Sequence, residues 1–226
     1  MQKRFFYLKG HPFVFLSATG SRGMGATEEA TMAFNRLKQE LEKLGGSIED
    51  VVRTTVFTRN QECRPEVGEV RKRIFPQAAR PASSSIIVHD FLPKDSLVEI
   101  DATAILSRGG KCRKKGIEFD PPRPYLKALE VENLVFVSGE GGKGKNIETQ
   151  TAAAYERIGG TLAELGSSWE KVLLLSCYVK KLEWFDAVHK FFQEKTGNRS
   201  LFIDMARADE YAQPDMLIEV EATACK

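Results

Sequence analysis

Cysteine is scarce and scattered: Cys63, Cys112, Cys177 and Cys225 share no CxxC or Cys/His spacing. That pattern excludes a disulfide framework and the usual short zinc-ligand pairs, and it fits free thiols in a reducing compartment. The three histidines, His11, His89 and His189, form no metal-ligand spacing either, and each reads as structural or exposed. An excess of one charge is also missing. With 33 basic and 31 acidic residues the formal charge is +2, so no global field recruits nucleic acid or an anionic membrane. No apolar run approaches the ~18 residues of a spanning helix. The stretch from Met1 to Lys9 has neither a long apolar region nor a small-residue cleavage site, so it does not read as a signal peptide. These absences predict a cytoplasmic protein with no membrane, nucleic-acid or metal partner.

The remaining composition is that of a globular chain, 42% hydrophobic and 28% charged, able to bury a core. A length of 226 residues fits one large domain or two small ones, and internal repetition decides between them. Phe13-Val14-Phe15-Leu16-Ser17 matches Leu134-Val135-Phe136-Val137-Ser138 at an offset of 121 residues. The same offset lays Leu44-Gly45-Gly46-Ser47-Ile48-Glu49-Asp50-Val51 on Leu165-Gly166-Ser167-Ser168-Trp169-Glu170-Lys171-Val172. It also superposes the stripe Phe34, Leu37, Leu41, Leu44 on Tyr155, Ile158, Leu162, Leu165, one face of an amphipathic helix in each copy. Val98 to Ala104 pairs with Ile218 to Ala224 at an offset of 120. One net gap across a whole repeat indicates duplication.

Each copy reads in the same order. A strand ends at the serine (Val14–Ser17; Leu134–Ser138), and a long helix follows that stops at glycine (Gly45; Gly166). A β-rich run comes next (Val51–Phe57; Val172–Val179), then a shorter helix (Val67–Phe75; Phe185–Glu194) and two closing strands. The pattern predicts an α+β fold of two tandem βαβαββ units, each a sheet with both helices on one face. In the last strand Ile218, Val220, Ala222 and Ala224 face one way and Glu219, Glu221 and Thr223 the other. The polar face is strongly strand-forming, which points to cover by another copy or subunit. The units divide as 1–107 and 124–226. Residues 108–123, rich in Gly, Pro and the basic cluster Arg108, Lys111, Arg113, Lys114 and Lys115, read as a solvated linker.

Pro124-Tyr125, Ser138-Gly139 thirteen residues on, the Gln-Thr-led helix, Leu-Gly-Ser-Ser-x-x-x-Val, the Asn198-Arg199-Ser200 turn and the terminal Glu-Val-Glu-Ala strand resemble the YjgF/RidA family of reactive-intermediate deaminases. The resemblance covers nearly the whole chain as two family units. It implies a chorismate-mutase-like fold and a trimeric or pseudo-trimeric homo-oligomer with sites between adjacent units. The implied activity is hydrolysis of an imine or enamine on a small carboxylate-bearing substrate, with no cofactor. Carried over, Arg199 grips the carboxylate, Glu219 positions and deprotonates water, and Tyr125 and Ser138 add hydroxyl hydrogen bonds. Gly139 and Leu201 line the substrate beside Arg199.

The chemistry suits an arginine, whose planar fork of donors grips a carboxylate bidentately. The first copy has Pro81-Ala82-Ser83-Ser84 where the family has Pro-Ala-Arg-Ser, and Arg4 where the tyrosine belongs; Ser17 and Glu99 persist. The second copy departs in Leu201, often Cys in the family, near His189, where an asparagine is expected, and in the acidic segment Ala208 to Pro214. The alternative is a non-hydrolytic member that cyclises or isomerises a related compound, or a binding module. Gly139-x4-Gly144-Lys145 also matches part of a phosphate-binding loop, but Asn146 follows where Ser or Thr holds Mg²⁺, which sets nucleotide hydrolysis aside.

Overall fold

The apolar steps of three and four in each copy become the buried stripe of a helix in a computed structural model of the chain. It describes residues 1–8, 10–21, 23–106, 114–197 and 202–226, the side chain of Phe202 excepted. By its contacts the chain divides into Met1–Glu132 and Asn133–Lys226. The first unit runs β1 (Gln2–Leu8), β2 (His11–Thr19), α1 (Ala26–Lys43), β3 (Val51–Thr58), α2 (Cys63–Ile74), β4 (Ala82–Ile87), β5 (Val98–Ile105), β6 (Lys114–Ile117) and β7 (Ala128–Val131). The second runs β8 (Leu134–Gly141), α3 (Ile147–Glu164), β9 (Val172–Val179), α4 (Phe185–Thr196), β10 (Phe202–Arg207) and β11 (Ile218–Cys225).

Sheet topology repeats with the sequence. The first unit has strand order β1-β2-β5-β3-β4, and the second has the corresponding β8-β11-β9-β10. Parallel pairing occurs where a helix makes the crossover, β3 with β4 across α2 and β9 with β10 across α4; β5 and β11 pair antiparallel on both sides. The core of the first unit gathers Phe34, Leu37 and Leu41 of α1, Val67 and Val70 of α2, and Val14, Leu16, Val56 and Ile100 of the sheet. In the second unit Tyr155, Ile158, Leu162, Val188 and Phe192 are buried on the helices, with Val135, Val137, Val220 and Ala222 buried on the sheet.

Both long helices end alike. Gly45 and Gly166 take φ of +78° and +73°, a left-handed turn that lets Gly46 N donate to Leu41 O and Ser167 N to Leu162 O. A second duplicated device is polar. Glu29 Oε2 accepts from Leu97 N (2.8 Å) and Val98 N (3.2 Å), and Gln150 Oε1 accepts from Leu217 N (2.8 Å). One polar residue in the first turns of each long helix thus ties it to the start of the closing strand.

Three features were not legible in the sequence or differ from its reading. β1 precedes the expected order and pairs antiparallel with β2. Its Phe5, Phe6 and Tyr7 are all exposed, so the strand has no buried face to leave a period-2 signature. Residues 108–123, read as a linker, contain β6, which pairs with β7. Lys114 Nζ donates to Val51 O and Ala79 O, Arg80 pairs with Glu118 and donates to Arg123 O, and Leu126 N donates to Pro81 O, so 114–126 packs on the first unit. Pro121, Pro122 and Pro124 mark irregular backbone in this packed stretch, and Gly116 lies within β6. The polar face of β11 is buried, with Glu219, Glu221 and Thr223 at 8, 3 and 4% exposure, whereas Glu99, Asp101 and Thr103 of β5 are half-buried.

Candidate functional site

Period-2 pleating sets the serine and glutamate of each copy on paired antiparallel strands. In the first unit Ser17 Oγ on β2 donates to Glu99 Oε1 on β5 at 2.8 Å. In the second, Ser138 and Gly139 lie on β8, and Glu219 lies on β11 opposite Gly141 of β8 and Tyr178 of β9. Ser138 is fully buried and Glu219 nearly so. A carboxylate held in that setting interacts more strongly with a neighbouring charge or dipole than one in water.

Tyr211, which sequence reasoning passed over, is fully buried in the longer segment before β11. Its hydroxyl donates to Tyr178 O at 2.5 Å, and burial followed by the nearby Glu219 charge pushes its ionisation well above the ordinary range. Polar neighbours and the lack of any periodicity around Tyr211 hide it in the sequence. Arg199 and Leu201 lie outside the described residues, as does the basic cluster up to Arg113.

Tyr125 belongs by its contacts to the first unit. Its ring lies over the Arg71 guanidinium at 4.7 Å, packs edge-on to Phe119 at 5.5 Å, and its hydroxyl accepts from Arg123 Nη1 at 3.2 Å. Arg71 in turn donates from Nη1 to Ser83 Oγ (2.7 Å) and from Nη2 to Ser85 Oγ (3.2 Å). Thr54 Oγ1 donates to the same Ser83 oxygen at 2.9 Å. The serine that stands in the arginine position of the repeat is therefore met by a guanidinium from α2. Burial lowers the pKa of Arg71 to about 10, with Tyr125 opposing the shift. A signal was present: Arg71 follows Val67 by four on the apolar stripe of α2, where a charged residue is out of place.

The glycine loop after β8 answers to packing. A Cβ on Gly142 would fall 1.8 Å from Gln150 O, and one on Gly144 would fall 2.2 Å from Thr149 Oγ1. Asn146 caps α3, its Oδ1 accepting from Thr149 N at 3.0 Å while Thr149 Oγ1 returns the bond. The loop lies on its own helix. Among the described residues no three His, Cys, Asp or Glu side chains gather to hold a metal ion. His189 stacks on Phe185 at 5.3 Å.

A family model described as endoribonuclease L-PSP matches the chain twice, over residues 15–106 and 117–226. The chain belongs to this family, the YjgF/RidA group, as a tandem pair. A curated member, the 2-iminobutanoate/2-iminopropanoate deaminase of Dermatophagoides farinae, is 35% identical over 79 residues, which are 35% of this chain and 60% of that protein. A RutC family protein of Pyrococcus abyssi is 32% identical over 118 residues, covering 47% of this chain and 89% of its own. Among solved structures a chorismatase superposes on 98% of this RidA-family chain and 79% of its own, with a TM-score of 0.66 at 18% identity, a likeness of fold. A YjgF-family protein of Mycobacterium tuberculosis, 25% identical, covers 50% of this chain and 99% of its own at a TM-score of 0.47. Among the described residues no helix of this RidA-family chain is long and apolar enough to cross a membrane.

Proposed function

We propose that the second unit hydrolyses the C=N bond of a small 2-imino acid or its enamine tautomer. The observation that carries this reading is the buried carboxylate of Glu219 on the strand paired with the one bearing Ser138 and Gly139. It stands in a chain whose relative acts on 2-iminobutanoate and 2-iminopropanoate by name. Arg199, at the family position twenty residues before Glu219, grips the substrate carboxylate through its fork of donors. Glu219 accepts a proton from water as the oxygen adds to the imine carbon and passes it to nitrogen, giving a carbinolamine. It then takes the carbinolamine hydroxyl proton and delivers it to the same nitrogen, so that the C–N bond breaks, ammonia leaves and a 2-oxo acid remains. Ser138 supplies a hydroxyl hydrogen bond, and Gly139 and Leu201 border the substrate. The half-buried polar face of β5, with Glu99, Asp101 and Thr103, supports assembly with further copies in a trimeric or pseudo-trimeric arrangement.

Ammonia release from freshly generated 2-iminopropanoate tests the reading. The wild-type chain accelerates release over buffer, and Arg199→Ala loses most of that acceleration. Equal rates for the two proteins contradict it. A second reading, ligand binding without turnover, is favoured by Tyr211, which brings a buried ring next to Glu219 from a segment four residues longer than its counterpart in the first unit. Under that reading 2-oxo acids raise the melting temperature while no ammonia appears.

A further inference from the structure

The guanidinium of Arg71 is buried to 4% exposure, and among the described residues no carboxylate pairs with it. Its Nε is buried without a hydrogen-bond partner. Two serine hydroxyls and the face of Tyr125 offset part of the desolvation, but they bring no negative charge, and a buried cation without one destabilises the fold. A cleft of about 500 Å³ runs along α2, lined by Gly68 and Lys72 together with Pro122, Arg123 and Pro124, with the buried Arg71 not itself on its lining. Arg71 lies between the two α2 residues in sequence and under Tyr125, the half-buried residue that follows Pro124. A Cβ on Gly68 would meet nothing within 4 Å, so this stretch of the helix borders open space.

We propose that the first unit binds a small organic monocarboxylate on Arg71, reached through this cleft as the Tyr125 ring turns aside. One unbalanced positive charge calls for one negative charge. The planar fork, with Nε unclaimed, suits the two oxygens of a carboxylate, and Ser83 and Ser85 hold the fork in place. Pro122 and Pro124 offer apolar surface to a short carbon body. Glu66 and Glu69 also line the cleft, Glu69 paired with Lys72, and carboxylate repulsion there opposes a dianion such as phosphate about twice as strongly as a monoanion. The loss of arginine at position 83 is thereby offset from a different element, and the first unit carries a ligand site of its own construction. This inference does not depend on turnover in the second unit.

Ligand-observed NMR on the full chain carrying Arg199→Ala, which removes the proposed carboxylate grip of the second unit, tests it. Isobutyrate binds this parent; its neutral isostere isobutyramide and inorganic phosphate do not. Arg71→Met abolishes the isobutyrate signal. Gly68→Leu, which fills the cleft without touching the guanidinium and raises helix propensity, weakens binding at least about tenfold with the melting temperature unchanged or higher. Since Arg71 is buried, Gly68→Leu decides the matter if Arg71→Met fails to fold. No isobutyrate binding by the Arg199→Ala parent, phosphate or isobutyramide bound as well as isobutyrate, or a folded Arg71→Met or Gly68→Leu chain that binds like its parent overturns the proposal. Failure of ammonia release in the wild-type chain would bear only on the second unit.

Discussion

Cys177 on β9 sits at 1% exposure, and burial pushes its thiol up to about 12, with a hydrogen bond from Tyr155 opposing part of the shift. An unfolded thiol ionises near pH ~8.5. The native chain therefore holds this proton longer than the unfolded one does. Stability from this group is complete below about pH 8.5 and is lost as pH climbs toward 12. Cys225 is half-exposed, and Cys63 is buried with its thiol raised chiefly by desolvation. At pH 8 iodoacetamide labels Cys225 before Cys63 and Cys177, and Cys177 reacts only through unfolding; peptide mass spectrometry reads the order. Native Cys177 labelled as fast as Cys225 contradicts the burial argument. Arg71 shows the opposite sign. Its native pKa near 10 is below that of a free guanidinium, so the burial penalty is full below pH 10 and relaxes as pH rises beyond it.

Among elements, the helices and central strands were the most legible. Apolar steps of three and four foretold the buried faces of α1 and α3, and the glycines at 45 and 166 marked their ends because only a left-handed residue closes those turns. Alternation foretold the faces of β11, though not that its acidic face is buried along with the apolar one. β1 was illegible because none of its exposed aromatics alternates with a buried partner, and Tyr211 because a single anchor in a polar segment carries no period. The polar ties at Glu29 and Gln150 lie at the repeat offset of 121, so comparing the copies residue by residue exposes them, whereas hydropathy alone hides them. The cap of α3 gives a test at this scale. Asn146→Ala removes the acceptor for Thr149 N and costs about 1 kcal/mol, read as a lower urea midpoint at unchanged slope. An unchanged midpoint would assign the helix start to packing of the glycine loop instead.

In the whole molecule, duplication was plain from the sequence and is matched by two sheets with corresponding strand orders. Less legible was how the site residues divide between the units. The sequence resemblance grouped Tyr125 with Ser138, Arg199 and Glu219, yet the contacts of Tyr125 are with Arg71, Phe119 and Arg123 of the first unit. Chain order assigns a residue to a repeat, but packing assigns it to a neighbour, and a segment rich in Pro and Gly carries no periodicity from which to read that neighbour. The two copies thus keep one scaffold and differ in their charged groups. The first holds a buried guanidinium from α2, and the second a buried Glu219 with an arginine at position 199 of the sequence.

The catalytic assignment in the second unit is tested most directly by ammonia release from 2-iminopropanoate with Glu219→Gln, alongside 2-oxobutanoate binding by the same variant. Glutamine keeps the size of the side chain and removes the base. Ammonia release falls by about 100-fold or more with binding retained. A Glu219→Gln chain that releases ammonia at the wild-type rate would contradict it.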